Sequence, residues 1–217
     1  MRIVPVKSQG YIFSVYDDLH PNGSSVFSFM DESEVRERWW HPKQDDVVLD
    51  IGAGFGSYTL PACAMGARVY AWSPEHDGEI LTQNVALNHW EDRCTVYRYG
   101  FYSQHGWVNA ERKLFSPNHQ WSHGWFFVGV LDGFVFGEQL PRVDWIKIDV
   151  EGAEVNVLQG GRETIRTFHP NILVENHNFL NPTLEQQVID FMSGLDIPYG
   201  HATMPYAQIS HTFFQPL

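Results

Sequence analysis

The segment Val47-Val-Leu-Asp-Ile-Gly-Ala-Gly-Phe-Gly56 constrains this chain more than any other: an apolar β-type run enters a turn with glycine at every second position. Its pattern is Asp-x-Gly-x-Gly-x-Gly, with Asp50, Gly52, Gly54 and Gly56 at the fixed places. Glycines at this spacing let the backbone turn sharply and lie close against a ligand that a Cβ would push away. The pattern predicts a helix from about Ser57, whose free N–H groups face the same ligand. Dinucleotide folds carry Gly-x-Gly-x-x-Gly, with a pyrophosphate over the turn. Here the third glycine comes one residue early and an acid precedes the first. That variant suits a ligand with no phosphate at the turn.

Strands and helices alternate after this point. Strand 47–51 leads to helix 57–65, strand 67–72 to helix 75–88, and strand 94–99 follows. Residues 105–136 are aromatic and turn-rich, with strands expected at 107–114 and 124–131. The alternation resumes with strand 145–150, one or two helices over 152–168, strand 171–175 and helix 183–195, and 199–203 and 209–214 can pair as a hairpin. Strands alternating with helices imply a parallel sheet with both faces covered. Upstream, 11–16 and 25–30 are β-like pieces around the turn Pro21-Asn-Gly-Ser, and a helix capped by Asp31 or Ser33 ends before Pro42. The division expected is an N-terminal extension and candidate lid at 1–44, then one α/β domain at 45–217 with an aromatic β insertion at about 101–136.

Composition removes several function classes. The 217 residues fit one domain, and the formal net charge is -12 with no Lys/Arg cluster. Nucleic acid and anionic membranes need a cationic footprint and are not expected as partners. Cys63 and Cys94 are too few and too far apart for a disulfide framework or zinc knuckle, and both read as buried thiols. No apolar stretch reaches membrane-spanning length, and Met1-Arg-Ile-Val-Pro-Val-Lys7 lacks a signal-peptide core, so a cytoplasmic protein is expected.

A second signature is Val143-Asp-Trp-Ile-Lys-Ile-Asp-Val-Glu-Gly-Ala-Glu154. Alternation along the strand puts Lys147, Asp149 and Glu151 on one face at its carboxyl end, where open α/β sheets bind ligands. Lys147 and Glu154 are equally readable as an ion pair holding the strand–helix corner, whereas Asp149 and Glu151 have few structural duties there.

Together these residues resemble the FkbM family of S-adenosylmethionine-dependent methyltransferases. The resemblance rests on Val48–Thr59, Asn84-Val-Ala-Leu-Asn88, Lys147-Ile-Asp-Val-Glu-Gly-Ala-Glu154, Val157-Leu-Gln-Gly-Gly161 and Pro170-Asn-Ile-Leu-Val-Glu-Asn176, and covers roughly residues 45–180. It implies a Rossmann-like class I methyltransferase sandwich: a mostly parallel seven-stranded sheet closed by a C-terminal antiparallel hairpin, with helices on both faces. It also implies bound S-adenosylmethionine and methylation of a hydroxyl oxygen on a small-molecule acceptor such as a sugar or natural product. In this frame Asp50 takes the methionyl amino group, Gly52, Gly54 and Gly56 leave room for the cofactor, and Tyr58 lies beside them. The family's ribose-gripping acid after the second strand is replaced here by Ser73 in Ala71-Trp-Ser-Pro74. Glu75 is the nearby acid that could substitute, and Trp72 the ring that could stack on adenine. A serine makes one modest hydrogen bond where a carboxylate accepts two charge-assisted ones.

Methyl transfer to a hydroxyl needs alignment, exclusion of water and a base within hydrogen-bond reach. The candidates are Asp149, Glu151, Glu175 and His177, of which His177 titrates in the useful range. The other histidines read as loop or surface residues. A Mg²⁺ ion on Asp149, Glu175 and Asn176 is the less favoured alternative. Phe101, Tyr102, Trp107, Trp121, Trp125 and Phe126 of the insertion are the expected source of an acceptor pocket. Two further readings stay open: a catalytically idle domain kept as a binding module, which Ser73 supports, and a nicotinamide oxidoreductase, which the glycine spacing disfavours.

Overall fold

Val47–Ile51 is buried at every residue, as a strand covered on both faces requires, and forms β5 of the sheet. The computed structural model describes residues 2–17, 19–20, 23–24, 29, 32–74, 76–109, 114–117, 124–206 and 208–217. In chain order the elements before β5 are β1 Arg2–Ser8, β2 Tyr11–Asp17, β3 Leu19–His20, β4 Gly23–Ser24 and α1 Ser33–Trp39. After it come α2 Thr59–Ala64, β6 Arg68–Trp72, α3 Asp77–Leu87, β7 Cys94–Tyr97, β8 Gly100–Phe101, β9 Gly106–Asn109, β10 Leu114–Ser116 and β11 Trp125–Gly129. The chain closes with α4 Leu131–Gly137, β12 Trp145–Ile148, α5 Glu154–Gly160, α6 Arg162–Phe168, β13 Asn171–Asn176, α7 Leu184–Ser193, β14 Tyr199–Tyr206 and β15 Ile209–Pro216. Seven strands form one sheet in the order β14-β15-β13-β12-β5-β6-β7. Among the described residues no helix is long and apolar enough to cross a membrane.

The chain divides into two compact units, 1–98 and 99–217. In the first, β5, β6 and β7 run parallel, with Asp50 opposite Ala71 and Ile51 opposite Trp72. Cys63 and Cys94 are buried free thiols, as expected, and the hydrogen bond between them together with burial raises the Cys63 pKa well above its usual value. The sequence reading omitted β1. It pairs with β2 over a two-residue turn in which Gln9 and Gly10 both have positive φ (49° and 86°), the backbone of a type I′ hairpin. Gln9-Gly10 is a weaker signal than Asn-Gly, which is why the hairpin escaped notice. Asn84 of α3 and Asn88, one turn on at its C-cap, hold β2. Asn84 Oδ1 accepts from the Tyr16 amide at 2.7 Å, and Asn88 bonds the Ser14 amide and carbonyl at 2.9 and 2.7 Å. The β-like piece at 25–30 and Asp31 fall mostly outside the described residues. The cap of α1 is Glu32, with φ 48° and no side-chain capping bond, rather than Ser33.

In the second unit β12 and β13 are parallel, while β15 runs antiparallel to both β13 and β14. The C-terminal hairpin is therefore present and longer than expected. The insertion is a four-stranded sheet, order β10-β9-β11-β8, with Tyr102 stacked on Phe115 at 4.7 Å and Trp107 edge-on to Phe127. Three boundaries need correction. Residues 131–137 are helix, Leu114 belongs to β10, which runs antiparallel to β9, and β12 ends at Ile148, so Asp149 and Glu151 lie in the exit turn. Trp121 lies outside the described residues.

Candidate active site

The glycine turn of the first unit has the shape its sequence implies. Gly52, Gly54 and Gly56 have φ of 85°, 52° and 102°, a region L side chains rarely enter. The Gly52 and Ala53 amides both donate to the Trp72 carbonyl, at 2.9 and 2.8 Å, which pins the start of the turn to the end of β6. Gly54 and Gly56 differ in purpose. A Cβ on Gly54 would meet nothing within 4 Å, so the turn opens onto free space there. A Cβ on Gly56 would stand 2.6 Å from Leu81 Cδ1, so that glycine serves the packing of α3 against the turn. Asn84 Nδ2 donates to the Phe55 carbonyl at 3.3 Å, linking α3 to the same turn.

Asp50 is buried and accepts from Thr59 Oγ1 at 2.5 Å. The helix begins at Thr59 rather than Ser57 and has six residues, so the turn itself is the feature a ligand would meet. Tyr58 is buried; its hydroxyl donates to Glu32 at 2.7 Å, its ring meets Trp40 edge-on, and the Arg36 guanidinium lies 5.4 Å from it. The Trp72 indole is fully buried and stacks on Tyr97 at 5.3 Å, which places it in the core, where it presents no exposed face to adenine. Ser73 is also buried, its amide donating to the Tyr97 carbonyl at 3.1 Å. Glu75 lies outside the described residues.

The second unit gathers most of the base candidates into one cluster. Lys147 on β12 stands opposite Leu173 on β13, so two residues further on Asp149 and Glu175 emerge on the face that carries Lys147. Lys147 Nζ lies 3.5 Å from Asp149 Oδ2 and 3.6 Å from Glu175 Oε2. Glu175 in turn stands opposite His211 of β15, whose Nε2 is 3.4 Å from Glu175 Oε2. His177 follows the end of β13. Its Nδ1 is 2.7 Å from Glu154 Oε1, which also accepts from the Gly152 amide at 3.0 Å. Its Nε2 is 3.5 Å from Glu175 Oε1 and 3.7 Å from Asp149 Oδ1. Lys147, Glu154 and His211 are at most 1 % exposed, His177 and Glu175 6 %, so these charges compensate one another with little help from water.

The burial of Glu175 pushes its pKa up, but the hydrogen bond from His211 and the nearby Lys147 and histidine charges outweigh it and hold the carboxyl far below the usual range. Burial disfavours the charged His177 ring, yet the hydrogen bond to Glu154 and the charges of Asp149, Glu154 and Glu175 raise its pKa above the ordinary value. The 2.7 Å contact with the Glu154 carboxylate is the closest at either ring nitrogen and favours a proton on Nδ1.

Four expectations change. Glu151 is exposed in the exit turn with φ 51°, and only Asp149, Glu175 and His177 come together. Lys147 and Glu154 do not hold the corner as a mutual pair: Lys147 sits on Asp149 and Glu175, and Glu154 on His177. Asn176 points to the opposite face, donating to the Ser210 carbonyl, Ser210 Oγ and Thr212 Oγ1, as alternation from Glu175 demands. Within the second unit Asp149, Glu175 and His177 form a group of potential metal ligands, their ligand atoms within 4.8 Å of one another. His211, read as a loop or surface histidine, is fully buried on β15. Its role depends on strand register, which the sequence does not print.

A strand–glycine turn–helix entry and a mixed seven-stranded sheet ending in an antiparallel hairpin define a Rossmann-like methyltransferase fold. Residues 130–197 match the Methyltransferase FkbM domain. The hexuronic acid methyltransferase AglP of Haloferax volcanii is 30% identical over 150 residues, covering 64% of this chain and 59% of that protein. The present chain thus spans less than two thirds of that relative's length. The crystal structure of methyltransferase FkbM from Methylobacillus flagellatus KT superposes with a TM-score of 0.58 at 16% identity, over 88% of this chain and 53% of that one. Precorrin-6y C5,15-methyltransferase from Geobacter metallireducens superposes at 0.52 with 12% identity, over 93% and 92% of the two chains. The two structures share the fold, and the resemblance to FkbM methyltransferases read from the sequence is borne out.

Proposed function

We propose that this chain transfers a methyl group from S-adenosylmethionine to a hydroxyl oxygen of a small molecule such as a sugar. The observation that carries the reading is the buried Glu154–His177 dyad at the strand ends of the second unit, with Nε2 as its working atom. The cofactor reading draws support from the glycine turn. The open space over Gly54 and the positive φ of all three glycines fit a ligand lying against the backbone. Asp50, Gly52 and Gly54 are the residues assigned to hold its amino-acid end, with Ser73 in place of a ribose acid.

When bound, S-adenosylmethionine supplies a methyl group on positively charged sulfur, the S–CH₃ bond breaking as the O–CH₃ bond forms. The chain's own residues manage the acceptor proton. The hydroxyl donates to His177 Nε2, and the proton moves to that nitrogen as the oxygen attacks. Glu154 stabilises the resulting imidazolium through Nδ1–H, and Asp149 and Glu175 add to that field. Lys147 keeps those two carboxylates from accumulating negative charge against each other. No step requires a metal, because Lys147 already stands where a cation would neutralise Asp149 and Glu175.

The relative AglP acts, by its name, on a hexuronic acid, which supports a sugar as the acceptor class. The test is transfer of labelled methyl from S-adenosylmethionine to a panel of pyranosides by wild type and His177→Asn. Activity in wild type, reduced at least about 10²-fold in the variant, is the expected outcome. Tight S-adenosylhomocysteine binding with no transfer to any acceptor would favour the idle binding module instead.

A further inference from the structure

The loop after β13 carries two apolar side chains left about half in water. Phe179 is 55% exposed and Leu180 42% exposed, in a chain whose apolar residues are otherwise mostly withdrawn from water. They are not on a slack segment. The Leu180 and Asn181 amides both return to the His177 carbonyl, at 2.9 and 3.3 Å, and Asn178 Nδ2 donates to Ser210 Oγ at 3.0 Å. Asn181 Oδ1 then accepts from the Thr183 amide and hydroxyl at 3.1 and 2.9 Å, just ahead of α7. The loop is bonded at both ends and holds Phe179 outward at a fixed place.

That place is beside the base. The Phe179 ring meets the His177 imidazole edge-on, with centroids 5.7 Å apart. Leu180 lies over the exit turn of β12, where a Cβ on Gly152 would be 3.3 Å from Leu180 Cδ1. An aromatic ring thus stands against the imidazole, with an aliphatic side chain over the neighbouring turn. The axial C–H face of a pyranose is apolar, its edge is a ring of hydroxyls, and such a face stacks on aromatic rings.

We propose that Phe179 and Leu180 form the acceptor platform, taking the apolar face of a pyranose ring so that one edge hydroxyl reaches His177 Nε2. The inference rests on the sugar-methylating reading and goes beyond it by naming the residues that hold the acceptor ring.

The experiment is ligand-observed NMR binding of methyl β-D-glucopyranoside and methyl β-D-glucuronide, with methyl-transfer kinetics on the same variants. Wild type binds at least one of the two glycosides. Phe179→Ala raises the Kd and KM for that glycoside at least about tenfold with S-adenosylhomocysteine affinity unchanged, and Phe179→Tyr restores both. Equal binding by Phe179→Ala, or no binding of either glycoside by wild type, overturns the platform. Phe179-dependent binding without turnover keeps the platform and sinks the methyl-transfer reading. Turnover with an unchanged KM in Phe179→Ala does the reverse.

Discussion

Glu154→Gln separates the electrostatic role of Glu154 from its structural one. Glu154 Oε1 accepts both the Gly152 amide at 3.0 Å and His177 Nδ1 at 2.7 Å, and a glutamine carbonyl can keep both bonds. The variant therefore preserves the geometry and the tautomer and deletes only the charge. A hydrogen bond to a charged partner contributes about 1.5–3 kcal/mol and a neutral one about 0.5–1.5 kcal/mol. The difference of about 1.4 kcal/mol corresponds to about one pKa unit. In wild type the raised His177 pKa puts the acidic limb of the pH–rate profile above the ordinary histidine range. Glu154→Gln should move that limb about one unit toward acid and lower the plateau by up to about tenfold. Glu154→Leu, which removes the acceptor altogether, should cost about 10²–10⁴-fold. The assay is kcat/KM for methyl transfer between pH 5 and 9, with S-adenosylhomocysteine affinity as the control. A limb that stays in place in Glu154→Gln would refute the role assigned to Glu154, because a merely structural residue shifts stability and not the titration of its neighbour.

Other predictions follow from the same geometry. Gly56→Ala should lower thermal stability, since its Cβ meets Leu81 Cδ1 at 2.6 Å and φ is 102°, whereas Gly54→Ala should cost only about 1–2 kcal/mol of backbone strain and weaken S-adenosylhomocysteine binding instead; scanning fluorimetry and calorimetry distinguish the two. Because the folded Glu175 pKa is depressed, its stabilisation is present above the unfolded value of about 4.3 and lost as pH falls below it; Glu175→Gln should flatten that acid loss and destabilise by about 3 kcal/mol, as measured by denaturant unfolding at several pH values. The raised His177 pKa works in the opposite sense, its stabilisation being complete below about 6.5 and lost as pH rises through the folded value; His177→Asn should remove that alkaline decline. EDTA treatment should leave methyl transfer unchanged, since Lys147 neutralises Asp149 and Glu175; loss of activity restored by Mg²⁺ would contradict this.

Local patterning made the turn and the strand ends legible. Glycine spacing predicted the sharp turn that Gly52, Gly54 and Gly56 make with positive φ, and two-residue alternation put Lys147 and Asp149 on one face. What stayed hidden depends on long-range register and on where a strand stops. His211 enters the cluster only because β15 sets it opposite Glu175, and nothing within Ser210-His-Thr212 signals that. Glu151 leaves the face it was assigned because β12 ends at Ile148 and the chain turns through a left-handed residue. Trp72 was read as a ligand contact because aromatic rings at a strand end suit adenine. Its stacking on Tyr97 is a cross-strand pair, β6 to β7, which requires the sheet order to see.

The central claim is that the buried His177 imidazole takes the acceptor proton during methyl transfer. Single-turnover transfer of labelled methyl from S-adenosylmethionine to methyl β-D-glucopyranoside, in wild type and His177→Asn at matched cofactor occupancy, tests it directly. The account predicts a chemical step slowed at least about 10²-fold in His177→Asn, with S-adenosylhomocysteine affinity preserved. Equal single-turnover rates in the two proteins would contradict it.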